Sequence, residues 1–100
     1  MSSLITIKDS IHDRVWLYEA IGFASKGDAV LLIESAVSAL HSNITLASFA
    51  AKCKRFDVSL YALQEDLTER GLALNLSGVT LITRREWLNL IDQFNKQVAW

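Results

Sequence analysis

Five consecutive residues, Ala29-Val30-Leu31-Leu32-Ile33, are apolar without interruption. A strand with one wet face alternates apolar and polar side chains, so a run without alternation has both faces covered. The run is far too short to span a bilayer. A strand buried on both sides belongs to a parallel sheet with helices packed on each face, and that demand organises the rest of the chain.

The flanking segments fit it. Leu4-Ile5-Thr6-Ile7 reads as a first strand stopped by Lys8-Asp9. From about His12 to Ser25 the pattern is helical, with Leu17, Ala20, Ile21 and Ala24 on one face and Asp13, Arg14 and Glu19 toward water. Ser10 or Asp9 suits its start and Gly27 its end. A second helical region runs from about Ser35 to Arg55 with a break near Ser42-Asn43, and Leu46, Phe49, Ala50 and Cys53 fall at helical spacing in its second half. Val58 to Leu63 is the third strand, Asp66 to Arg70 a short helix and Val79 to Ile82 the fourth strand. Arg85 to Phe94 is the last helix, its apolar side carrying Trp87, Leu88, Ile91 and Phe94. Val98-Ala99-Trp100 adds a short edge strand or docks as a tail. Each crossover is long enough for a right-handed parallel connection. The expected architecture is α/β, a three-layer sandwich with a mostly parallel sheet of four or five strands. One hundred residues make a single domain, 1–100. Ligands in open sheets of this kind bind beyond the carboxyl ends of the strands, here Lys8-Asp9-Ser10, Glu34-Ser35, Gln64-Glu65-Asp66 and Thr83-Arg84.

Charge and composition remove several classes of function. The net charge is −1 and the charges are mixed, so direct binding of nucleic acid is not expected. No basic segment followed by an apolar stretch opens the chain, and one cysteine makes neither an intramolecular disulfide nor a Cys-x-x-Cys motif. These features favour a cytoplasmic protein with no membrane contact. Apolar residues are 51% of the chain, more than so small a sphere can hide, which points to a subunit interface. Trp16, Trp87 and Trp100 suit core and interface equally.

Cys53 is the only candidate thiol. Lys52 and Lys54 on either side favour a thiolate, while the shared face with Phe49, Ala50 and Phe56 favours a small buried apolar side chain late in a helix. His12 and His41 have no neighbours at zinc-ligand spacing, so no metal site is assigned. Gly22, Gly27, Gly71 and Gly78 are isolated and form no phosphate loop, so no cofactor is expected. Carboxylates at Glu65 and Asp66 suggest a phosphoacceptor pocket, but the lysine such a pocket needs after the last core strand is replaced by Thr83-Arg84. The simpler reading makes Glu65 or Asp66 the cap of the following helix, with Arg70 balancing its far end. No catalytic residue is assigned.

One segment goes further. Tyr61 to Leu72 resembles the pattern Tyr-Ala/Val-Leu-x-x-Asp-Leu/Val-x-x-Arg-Gly-Leu/Phe of the TusB/DsrH family, with Tyr61, Leu63, Asp66, Arg70 and Gly71 carrying it. Gly27-Asp28 ahead of Ala29 to Glu34 is similar to the family's second strand, and Ala99-Trp100 to its terminal Ala-Trp. The resemblance implies a Rossmann-like fold of the DsrE/DsrF/DsrH type. It also implies assembly with two homologous sister subunits, TusC/DsrF-like and TusD/DsrE-like, in a heterohexamer with two copies of each. One branch of the family relays persulfide sulfur toward 2-thiouridine at the tRNA wobble position, and the other serves sulfur oxidation. The most prominent sulfur-carrying thiol lies on the TusD/DsrE-like sister.

Two departures matter. Some DsrH members carry a cysteine late in the first helix, before a Phe-Ala-x-x-Gly stretch. Here that stretch is Phe23 to Gly27 and the matching position is Ala20, whose methyl group cannot hold sulfane sulfur. The likeness is therefore closest to the TusB branch. The family's acidic-Asp-Gly turn after the second strand reads Glu34-Ser35-Ala36, where Ser35 is placed to cap the next helix. The expectation is a noncatalytic structural subunit of a TusBCD-like sulfur relay. The alternatives are a sulfurtransferase using Cys53 as persulfide carrier, or a DsrEFH-type subunit in sulfur oxidation.

Overall fold

The uninterrupted run becomes β2, Ala29–Leu32, and all four of its residues are buried. A computed structural model describes residues 2–9, 24–41, 43–74 and 76–99. The other strands are β1 (Ser3–Ile7), β3 (Ser59–Leu63), β4 (Thr80–Ile82) and β5 (Lys96–Ala99). They form one sheet in the order β4-β3-β2-β1-β5. Every pairing is parallel. The closing residues thus form an edge strand, with Ile5 opposite Val98.

Strand alternation divides the interior into two cores. Ile5, Val30, Leu32, Leu60 and Ala62 point to one face, where Val37, Leu40, Cys53 and Leu67 cover them. Leu4, Ala29, Leu31, Leu63 and Ile82 point to the other, against Leu90 and the half-buried Trp87, Ile91 and Phe94. Covered faces on both sides are what β2 demanded of the fold.

The helices follow the expected order with shifted ends. Asn43–Arg55 is α1, Gln64–Glu69 is α2 and Arg84–Ile91 is α3. The break near Ser42-Asn43 is present, but the segment before it, Glu34–His41, is a 3-10 helix. Two of its hydroxyls bond backbone carbonyls. Ser38 Oγ donates to the Ser35 carbonyl at 2.6 Å, at i−3 spacing, and Ser35 Oγ donates to the Lys8 carbonyl at 2.9 Å. Ser35 therefore ties the 3-10 segment to the end of β1 instead of capping a helix. The helix expected from His12 to Ser25 lies outside the described residues except for Ala24 and Ser25, which are irregular backbone.

Helix α2 begins directly at the end of β3, two residues earlier than the sequence suggests. Its N-cap is Leu63, with no side-chain cap. Its end is closed by Gly71 at φ 66°. The Gly71 N–H bonds the Thr68 carbonyl at 3.0 Å and the Leu72 N–H bonds the Leu67 carbonyl at 2.9 Å. That paired pattern is a Schellman stop, which needs the left-handed backbone glycine adopts without strain.

Candidate functional site

The carboxyl ends of β2, β3 and β4 meet at one buried carboxylate. Because β3 runs into α2 without a turn, Asp66 lies one helical step inside the sheet edge and points inward, 2% exposed. Its Oδ2 accepts the Glu34 N–H at 2.7 Å, just past β2. Its Oδ1 accepts Arg84 Nη2 at 3.3 Å, just past β4. Glu34 takes a left-handed φ of 49°, an unusual backbone for a side-chain-bearing residue, and the bond to Asp66 fixes its amide there.

Glu65 does cap a helix, but not its own. Both of its oxygens accept the Arg84 N–H, at 3.1 and 3.0 Å, at the first turn of α3. That bond, then the bond from its own backbone N–H, holds the Glu65 carboxyl below the usual carboxylate range. Helix α3 is closed further by a reciprocal pair: Thr83 Oγ1 accepts the Glu86 N–H, and Glu86 Oε1 accepts the Thr83 N–H. The proposed capping of α2 by Glu65 or Asp66 is thus corrected. The strand leaves no turn in which either side chain could fold back, and each reaches across to a neighbouring element. Arg70 does sit at the far end of α2, its Nη1 3.5 Å from the Asp66 carbonyl oxygen.

A second buried carboxylate closes the opposite edge of the sheet. Asp28 is 7% exposed and accepts the Ser3 N–H at 2.8 Å and the Ser25 N–H at 2.9 Å. Sequence reasoning gave Asp28 no role of its own. The available signal was a lone charge placed between Gly27 and a fully apolar strand.

Cys53 belongs to neither edge. It is 2% exposed, packed among core residues, and is a free thiol. Burial pushes its pKa up from 9.0 to about 11, against a smaller lowering by Lys52. The flanking lysines thus fail to activate it, because loss of hydration outweighs the field of Lys52. An open groove between α1 and the β3–β4 edge, lined by Ala50, Lys54, Tyr61, Gly78 and Thr80, passes over it.

The remaining motif residues are structural in placement. Tyr61 is half-buried on the face of Leu63, and Leu63 is fully within that core. Gly71 is the helix stop described above. Ala20, Trp16, His12 and Trp100 lie outside the described residues. Among the described residues no group of three or more histidine, cysteine or carboxylate side chains is placed to hold a metal ion. No described helix is long and apolar enough to cross a membrane. The carboxyl edge brings together two carboxylates and a guanidinium that bond one another, and the thiol is elsewhere in the core.

Comparison with known proteins fits this architecture. Over its full length the fold matches the crystal structure of the ychN protein from E. coli, with a TM-score of 0.71 at 14% identity and full coverage of both chains. Protein TusB of Escherichia coli K12 is 30% identical over 96 residues, 91% of this chain and 97% of the relative. Protein TusB of Buchnera aphidicola subsp. Baizongia pistaciae is 34% identical over 77 residues, 76% of this chain and 77% of the relative. The family model described as DsrH like protein matches residues 10–97. With its sequence matched from the first crossover to the last strand, the chain belongs to the DsrH-like protein family.

Proposed function

We propose that this protein is a noncatalytic structural subunit of a TusBCD-like sulfur relay, acting as one domain in the cytoplasm. In this reading it sits with TusC-like and TusD-like sisters in a heterohexamer with two copies of each. The complex passes persulfide sulfur toward 2-thiouridine at the tRNA wobble position. The observation that carries the reading is the state of the only sulfur nucleophile. Cys53 is enclosed, 2% exposed, and burial pushes its pKa up to about 11, so the neutral thiol prevails at pH 7. Persulfide transfer requires that thiolate on the attacking chain. Ala20, where some DsrH members carry a cysteine, offers a methyl group. Family membership and similarity to proteins named TusB support the choice of complex.

The groove over Cys53 favours one competing reading, in which a conformational opening exposes the thiol as a persulfide carrier. Reconstitution with the two sisters separates the two. Native mass spectrometry is expected to show the 2:2:2 assembly, and a Cys53→Ser complex to transfer sulfur at the wild-type rate. A persulfide on Cys53 during turnover, or loss of transfer in Cys53→Ser with the assembly intact, would establish the carrier reading. A protein that ignores both sisters would defeat the structural one.

A further inference from the structure

Besides Glu86, which caps its start, helix α3 carries two charges at ends that disfavour them. Arg85 lies in its first turn and Asp92 is its C-cap. A helix N-terminus favours negative charge and a C-terminus positive charge, so each residue is disfavoured by its own helix. Neither makes an ion pair with another described residue. Both project from the side opposite Leu90, the residue that anchors α3 to the core. Between them, on the same outer side, lie Leu88, 68% exposed, and Asn89.

This pattern is self-complementary. If a second α3 crosses antiparallel, with a two-fold axis passing between positions 88 and 89, Arg85 of each copy faces Asp92 of the other. The two residues are about 10 Å apart along the axis, and the axis falls midway between them. Each charge then lies at the end of the neighbouring helix whose dipole favours it, and the two copies of Leu88 meet beside the axis. We propose that the outer face of α3 is a two-fold contact between two copies of this chain. The proposal does not depend on sulfur chemistry or on sister subunits. A single helix crossing buries less than the roughly 1,200 Å² of a stable interface, so the contact is weak in isolation and strengthened inside a larger assembly.

Sedimentation of the protein alone, from micromolar to submillimolar concentration, tests it. The wild type self-associates, and added salt weakens the association. Arg85→Glu places like charges together and lowers the association constant by about tenfold or more. The charge-swapped double variant Arg85→Glu/Asp92→Arg recovers it. In a Cys53→Ala background, Leu88→Cys oxidises readily to a disulfide-linked dimer, whereas Ala47→Cys on exposed α1 does not. A wild type that stays monomeric at submillimolar concentration overturns the proposal. So does an Arg85→Glu variant that associates as well as wild type, or a double variant that keeps its circular dichroism yet stays apart. None of these outcomes bears on whether the chain joins the sulfur relay.

Discussion

Burial withdraws the Cys53 sulfur from water and leaves its thiol to ionise near pH 11, against an ordinary value of 9.0. Because the folded pKa lies above the unfolded one, the native chain holds the proton more tightly. The associated stability is complete below pH 9 and is lost as the pH rises toward 11, about 2–3 kcal/mol in all. Urea titrations across that range should show this alkaline loss in the wild type and a flatter profile in Cys53→Ala. Asp66 raises a different cost. Asp66→Ala leaves the Glu34 amide unbonded and removes the partner of the largely solvated Arg84 guanidinium, with an expected loss of about 1–3 kcal/mol. Asp66→Asn retains an acceptor for the amide and should lose less than half as much by the same chemical denaturation.

Among the elements, Gly78 makes a close approach to α1. Gly78 has a φ of 85°, and a methyl group added there would lie 2.7 Å from the Ala50 Cβ. Gly78→Ala therefore combines left-handed strain with overlap and should cost about 2–3 kcal/mol in thermal or urea unfolding. Ala50→Gly in the same chain relieves only the overlap and should recover part of that loss. The elements themselves were largely legible in the residues. The apolar run required a two-sided strand, apolar and β-branched runs marked β1, β3 and β4, and the apolar side of Trp87, Ile91 and Phe94 marked α3, although Leu88, expected on that side, is 68% exposed while Leu90 enters the core. What the residues could not disclose was which way short polar side chains reach. The expected helix before the break is a 3-10 segment, in which Ser35 and Ser38 bond carbonyls. Asp66 and Glu65 looked like caps for α2 because they stand at its start. They serve other elements because β3 and α2 join without a turn, a fact of three-dimensional continuity rather than of spacing. Cys53, which shares a face with Phe49, Ala50 and Phe56, reads more readily as a buried apolar side chain than as an activated thiol, and it is buried.

At the scale of the molecule, two buried carboxylates pin opposite edges of one parallel sheet. Asp28 secures the amino edge through Ser3 and Ser25, and Asp66 secures the carboxyl edge through Glu34 and Arg84. The carboxyl edge, where open α/β sheets ordinarily receive ligands, is occupied by the chain's own ion pair. The thiol, by contrast, is enclosed in the core on the Cys53 side of the sheet.

The strand order has a consequence for how the molecule is made. β1 is synthesised first, yet one of its two partners is β5, so Ser3 must wait for Lys96. During translation one row of β1 amides and carbonyls has nothing to bind, and the barrier to folding includes closing the stretch from Ser3 to Lys96 into a loop. The nascent polypeptide is therefore open along one side of β1, and most vulnerable to unwanted strand exchange there, until β5 leaves the ribosome.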